Sequence, residues 1–111
     1  MVTLAAARRM ALRLPDVTEQ DHHGRPSFRV AGKIFATVPD DGHVNVFVDL
    51  DEVPGLVAEY PACAGLYWGK RLRGVRVDLA SVPAGLLREL LTDAWRLRTG
   101  QRRHAQDPPP A

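Results

Sequence analysis

Apolar residues recur at the helical spacing of three and four positions in two stretches of the chain. The first stretch ends at Pro15, and its apolar positions are Leu4, Ala7, Ala11 and Leu14. The second runs between Pro83 and Gly100, and its apolar side holds Leu87, Leu90, Leu91, Ala94 and the stem of Arg98. We therefore predict an N-terminal helix and a longer C-terminal helix, each with one face available for packing. A shorter helix is predicted between Asp51 and Pro61.

Between these helices the apolar period falls to two, which is typical of β-strands with one buried face. Five such segments occur, three before the short helix and two after it, at residues 27–30, 34–38, 44–50, 66–68 and 75–79. Short turns rich in Gly, Pro and Asp separate neighbouring segments, so the strands are expected to form antiparallel hairpins. The order α-β-β-β-α-β-β-α predicts an α+β fold. It is a two-layer sandwich in which the N- and C-terminal helices cover one antiparallel sheet.

Only one register of each strand gathers the β-branched and aromatic side chains on a single face of the sheet. We expect Phe28, Ile34, Val46 and Val77 to lie on the face that the C-terminal helix covers.

The length of 111 residues fits one domain, which we assign to residues 1–100. Residues 101–111 contain three consecutive prolines and no apolar period, so we expect a disordered tail there. The single cysteine, Cys63, cannot form an internal disulfide, and no apolar run approaches the ~20 residues that span a bilayer. The first residues also lack the basic-then-apolar order of a signal peptide. We expect a cytoplasmic protein with no membrane partner.

The formal net charge of +2 hides an asymmetry along the chain. Residues 1–69 carry six basic and nine acidic side chains, whereas residues 70–111 carry nine basic and four acidic ones. The C-terminal part is therefore a candidate anion-binding surface. Double-stranded DNA and a small anionic ligand are the two partner classes that this charge favours.

Sequence patterns of nucleophilic catalysis and of nucleotide-binding loops are absent from the chain. The serines and acidic pairs occur where turns and helix starts use them, and Cys63 has no neighbouring cation that would activate a thiol. We therefore expect a protein that is not an enzyme and that needs no metal or cofactor.

The densest polar stretch is His22-His23-Gly24-Arg25-Pro26-Ser27. Adjacent histidines in an extended segment point to opposite sides, which suits metal binding poorly. One interpretation is a structural corner, with Gly24 in the turn. The alternative is a pocket for an anion, lined by His22, His23 and Arg25 together with Trp68.

A second basic segment, residues 69–74, follows Trp68 and contains Lys70, Arg71 and Arg73. A flat aromatic side chain beside several cations suits a phosphate backbone. A solvated turn with Trp68 packed into the sheet would carry the same residues.

Three motifs in the chain resemble the MmcQ/YjbR family of small bacterial proteins. They are His23-Gly24-Arg25-Pro26-Ser27-Phe28-Arg29-Val30, Gly32-Lys33-Ile34-Phe35-Ala36 and Trp68-Gly69-Lys70. The similarity extends over roughly residues 3–98 and includes the Ala94-Trp95-Arg96 segment of the last helix. The resemblance implies a frataxin-like sandwich in a double-wing arrangement that binds DNA. One wing would be the hairpin 69–76, which adds Arg76 to the phosphate contacts, and the other would use Arg25 and Arg29.

Overall fold

A computed structural model describes residues 1–100, in which helices cover one face of a six-stranded antiparallel sheet. The helices are α1 (Leu4–Leu12), α2 (Val53–Glu59, preceded by a 3-10 turn at Leu50–Glu52) and α3 (Ala84–Thr99). The strands are β1 (Thr18–His22), β2 (Arg25–Val30), β3 (Lys33–Asp40), β4 (His43–Val46), β5 (Cys63–Trp68) and β6 (Arg71–Asp78). The predicted α+β two-layer sandwich is confirmed. The tail predicted for residues 101–111 lies outside the described residues.

The structure contains one strand more than the sequence pattern predicts. β1 pairs antiparallel with β2, from Thr18 opposite Arg29 to His22 opposite Arg25. A two-residue turn joins the two strands, and both of its residues, His23 and Gly24, have positive φ, as in a type I′ turn. Strand β1 has no apolar alternation because it is an edge strand that buries little surface. The order is therefore α-β-β-β-β-α-β-β-α.

The strand order across the sheet is β1-β2-β3-β4-β6-β5, so the hairpins β1–β2 and β5–β6 occupy opposite edges. The pairing register places the tip of the first hairpin at the same end of the sheet as the β3–β4 turn. The tip of the second hairpin, at Gly69 and Lys70, lies at the other end, beside the β2–β3 turn. The two tips are therefore at diagonally opposite corners of the sheet.

The covered face of the sheet forms the hydrophobic core. Phe28, Ala36, Val46 and Val75 are register partners across four strands, and all are buried. The helices add further buried residues, namely Ala7, Ala11, Leu87, Leu90, Leu91 and Ala94. The prediction that Phe28, Val46 and Val77 lie in this core is confirmed.

The prediction for Ile34 is wrong because β3 contains a bulge. Phe28 pairs with Ala36, but the next pair is Arg29 with Ile34, so Phe35 is an extra residue on β3. A bulge of this kind interrupts the two-residue alternation of the strand. Phe35 is consequently fully buried in the core, whereas Ile34 lies on the opposite, open face of the sheet beside Arg29.

Candidate functional site

The open face of the sheet forms a groove with a volume of about 580 Å³. Three residues of β2 line it: Arg25 and Pro26 near the first hairpin tip, and Arg29 toward the other end of the strand. Thr37 of β3 and Asn45 of β4 are register partners in the middle of the groove. The groove therefore crosses the sheet from one hairpin to the other.

Three arginines from different elements line the groove: Arg29 of β2, Arg73 of β6 and Arg98 of α3. Arg73 and Arg98 lie together at the end near the second hairpin, whereas Arg29 Nε donates to Ser27 Oγ at 3.4 Å, toward the middle of β2. Arg98 Nε donates a hydrogen bond of 2.9 Å to the carbonyl oxygen of Ile34, which fixes the end of α3 against β3. Arg73 is an extra residue of β6, because Leu66 pairs with Gly74 and Tyr67 with Leu72. This arrangement concentrates guanidinium groups beside the open sheet face.

Aromatic rings support two of these guanidinium groups. The Arg73 guanidinium lies 4.4 Å from the centroid of the Trp68 ring, and that of Arg98 lies 5.7 Å from the centroid of the Phe47 ring. The two rings contact each other edge to face, with centroids 6.1 Å apart. Stacking uses the flat faces of the guanidinium groups, so the N–H donors at their edges are not consumed by it.

The two charged side chains that lie together at this end of the groove, Arg73 and Arg98, are both positive. Burial lowers the pKa of the Arg98 guanidinium, and the positive charge of Arg73 lowers it further. The ion pairs recorded within residues 1–100 are Arg8–Glu19, Arg25–Asp41, Asp40–His43 and Asp40–Arg76. Arg29, Arg73 and Arg98 belong to none of these pairs. An anion would therefore find several partly buried cations at one place.

The other end of the groove holds His22, His23 and Arg25. The two imidazole rings contact each other, with centroids 4.4 Å apart. Arg25 donates from Nη2 to Asp41 Oδ1 at 3.0 Å and from Nε to the carbonyl oxygen of Val38 at 3.2 Å. Together with Trp68 at the opposite end, these are the residues named for an anion pocket, and all of them line the same groove.

Lys70, Arg71 and Arg76, the remaining residues named for DNA contacts, do not line this groove. Lys70 and Arg71 are exposed at the tip of the second hairpin. Arg76 Nη2 donates to Asp40 Oδ2 at 3.1 Å. The same carboxylate lies 2.9 Å from His43 Nδ1, and this hydrogen bond is the main reason why the pKa of Asp40 is below its ordinary value.

A family model described as YjbR matches residues 12–97 of the chain. The chain belongs to the YjbR family. The resemblance seen in the sequence motifs is thereby confirmed, and the matched residues include every residue that lines the groove except Arg98. None of the curated proteins and none of the solved structures matches the chain.

In this member of the YjbR family, Asn45, Phe47 and Arg98 are among the groove residues that the sequence did not identify. Phe47 occupies the wetter side of the predicted β4 alternation, and an aromatic residue at such a position was a usable signal. No sequence signal identifies Arg98 as a groove residue, because its contact with Ile34 depends on how α3 crosses the sheet. Asn45 Nδ2 donates to Thr37 Oγ1 at 3.3 Å. Its Oδ1 atom is buried without a hydrogen-bond partner among the described residues.

Two further observations on this YjbR-family chain concern metals and membranes. Within residues 1–100, no three His, Cys, Asp or Glu side chains lie close enough together to hold a metal ion. No helix in the same part of the chain has the length and apolar character needed to cross a membrane.

Proposed function

We propose that this chain binds a small anionic ligand in the groove on the open sheet face and acts as a binding protein rather than an enzyme. The observation that carries the proposal is the proximity of Arg73 and Arg98 at one end of the groove, with Arg29 also lining it. None of the three belongs to a recorded ion pair. Partly buried like charges repel each other, and a bound anion removes this repulsion. A ligand is therefore the natural counterion of this end of the groove.

The shape of the groove agrees with a small ligand. Its volume of about 580 Å³ lies within the range usual for small-molecule sites. Its walls combine apolar surface from Ile34, Phe47 and Trp68 with a few polar groups. Such a mixture gives a ligand both contact area and orientation.

The proposal is tested by titrating the protein with a panel of phosphorylated small molecules and measuring the melting temperature. A ligand at 100 times its Kd raises the free energy of unfolding by about 2.7 kcal/mol, which is a readily measured shift. We expect Arg73→Gln and Arg98→Gln to abolish the shift for whichever phosphorylated ligand produces one. Arg88→Gln is the matched control, because Arg88 is exposed on α3 outside the groove.

Loss of binding must be separated from loss of folding, since Arg98 also holds the carbonyl of Ile34. Calorimetric titration of each folded variant at a temperature below its unfolding transition makes this separation. If Arg73→Gln and Arg98→Gln bind as tightly as the parent protein, the groove is not the anion site. A panel in which no phosphorylated compound binds would also refute the proposal.

A second candidate function is the binding of double-stranded DNA through the β5–β6 hairpin. The observation that favours it is the exposed tip, where Trp68 is 56% exposed and adjoins the exposed Lys70 and Arg71. The family resemblance points the same way. Contacts of this kind are made mainly to phosphates, so binding would weaken steeply with salt.

The DNA hypothesis has a test that leaves the groove intact. Each lost phosphate contact should reduce the slope of log K against log salt by about 0.9. The double change Lys70→Ala, Arg71→Ala should therefore flatten the slope while leaving small-ligand binding unchanged. The triple change that adds Arg73→Ala should flatten it further and also remove small-ligand binding. Duplex binding that does not depend on salt, or no duplex binding at low salt, would exclude this function.

A further inference from the structure

We infer that the ligand carries two anionic groups, one held at each end of the groove, so that the site selects an elongated bis-anion over a mono-anion. This inference rests on the proposed function and adds the charge distribution and length of the ligand. It assigns the residues near the first hairpin tip to a second anion subsite.

The distance between the two subsites follows from β2, because Arg29 is the register partner of Ile34, whose carbonyl oxygen binds Arg98. Arg25 and Arg29 lie on the same side of this strand, four residues apart. At the rise of a β-strand, their Cα atoms are about 13 Å apart. A single phosphate or carboxylate spans only a small part of this distance.

The first subsite is the pair of Arg73 and Arg98 described above. Arg98 Nε is occupied by the Ile34 carbonyl, so its terminal nitrogens are the donors available to a ligand. The guanidinium of Arg73 is held above Trp68 and does not depend on a carboxylate for its position. Planar groups fixed in this way can donate pairs of hydrogen bonds to phosphate oxygens.

The second subsite consists of Arg25 with the ring nitrogens of His22 and His23. The Asp41 side chain that pairs with Arg25 is 87% exposed, and exposed ion pairs contribute little to stability. A ligand anion can therefore share the guanidinium with Asp41 at little cost. The hydrogen bond from Arg25 Nε to the Val38 carbonyl holds the Arg25 side chain in place when the ligand binds.

The middle of the groove carries two uncharged polar side chains and one arginine. Thr37 and Asn45 are register partners across β3 and β4, and Arg29 Nε donates to the hydroxyl of the neighbouring Ser27 at 3.4 Å. Among the described residues, the groups of two or more basic side chains lie at the two ends of the groove. A molecule with an anionic group at each end matches this distribution.

The experiment compares linear alkane bisphosphates of increasing length by calorimetric titration. Ethylene, hexamethylene and decamethylene bisphosphate are the probes, and hexyl phosphate is the singly charged match for the second of them. We expect hexamethylene bisphosphate to bind more tightly than hexyl phosphate by about tenfold or more, because the second contact forms intramolecularly. Ethylene bisphosphate is too short to reach both ends and should bind like a monophosphate.

Variants at the two ends identify the subsites. Arg25→Gln should reduce the affinity for hexamethylene bisphosphate to that of hexyl phosphate, whereas Arg98→Gln should abolish the binding of both. Arg88→Gln should change neither affinity. His22→Gln should weaken the bisphosphate alone, which assigns the imidazole to the second subsite.

The outcomes separate this inference from the proposed function. If hexyl phosphate binds as tightly as every bisphosphate and Arg98→Gln still abolishes its binding, the groove is an anion site with one subsite and the inference is wrong. If the bisphosphates bind more tightly than hexyl phosphate but Arg25→Gln does not weaken their binding, the assignment of Arg25 to a second subsite is wrong. If no probe binds at millimolar concentration, both the inference and the proposed function fail.

Discussion

A β-carbon on Gly74 would come within 2.4 Å of the carbonyl oxygen of Val46 on the neighbouring strand. It would also lie 3.1 Å from the Cα atom of Phe47. Only a residue without a side chain lets the backbones of β4 and β6 approach this closely. Gly74 therefore sets the position of Phe47, whose ring supports Arg98 in the groove.

Gly74→Ala is expected to lower the free energy of unfolding by about 1–3 kcal/mol, the usual cost of forcing extra atoms into a packed site. Urea unfolding measures the change. Gly85→Ala is the control, because a β-carbon on Gly85 in α3 meets no atom within 4 Å and should be neutral or stabilising by up to about 1 kcal/mol. Equal destabilisation by both variants would contradict the close approach at Gly74.

Leu90→Ala is expected to cost about 2–5 kcal/mol, because Leu90 is only 2% exposed and its removal leaves a cavity between α3 and the sheet. This is a large part of a total stability of about 5–15 kcal/mol. Val57→Ala, at an exposed position of α2, should change stability by no more than about 0.5 kcal/mol. Thermal and urea unfolding of the two variants provide the comparison, and a Leu90→Ala protein as stable as Val57→Ala would show that α3 does not cover the core.

Ser27→Ala tests how β1 is held to the sheet. The Ser27 hydroxyl is fully buried and donates a hydrogen bond of 2.8 Å to the carbonyl oxygen of Gln20. Removing it leaves a carbonyl without this donor, at a cost of about 1–3 kcal/mol. Hydrogen exchange should show faster opening of β1 than of β4 in this variant. Thr92→Ala, which removes a hydroxyl–carbonyl bond on the exposed side of α3, should leave the exchange of β1 unchanged.

The carboxyl of Asp40 makes stability depend on pH. Its pKa in the folded protein is below the ordinary value of 3.8, first because of the His43 hydrogen bond and second because the backbone N–H of Gly42 donates to it. A lowered folded pKa means that the contribution is fully present above about pH 4 and is lost as the pH falls through the folded pKa. Urea midpoints measured from pH 6 down to pH 2 should fall less steeply for Asp40→Asn than for the parent protein in the acid range. His43→Gln removes the largest cause and should act in the same direction, whereas an unchanged slope in Asp40→Asn would contradict the assignment.

The core was largely predictable from the sequence because burial is periodic in helices and strands. The spacing of Leu87, Leu90, Leu91 and Ala94 predicts the buried side of α3, and the structure confirms it. The alternation in β4 likewise predicts that Val46 lies in the core and that Asn45 lies on the opposite face of the sheet. Strand β1 escaped prediction because pairing with β2, and not its own polar sequence, makes it a strand.

The groove was predictable only in part. The polar stretch around His22 and Arg25 and the aromatic Trp68 were both recognised from composition, and both line the groove. The presence of Arg98 in the same groove depends on the crossing of α3 over β3, and no local pattern predicts a contact between residues 64 positions apart. Arg25 and Arg76 were predicted to contact phosphates, but each is paired with a turn carboxylate that is distant in sequence.

The bulge at Phe35 affects both the core and the groove. One inserted residue buries the Phe35 ring and at the same time turns Ile34 to the face where its carbonyl accepts from Arg98. A deletion at this point would return Ile34 to the core alternation and take away the acceptor that holds Arg98. The length of β3 therefore couples the packing of the core to the shape of the groove, and a natural variant that lacks the extra residue is expected to lack Arg98 as well.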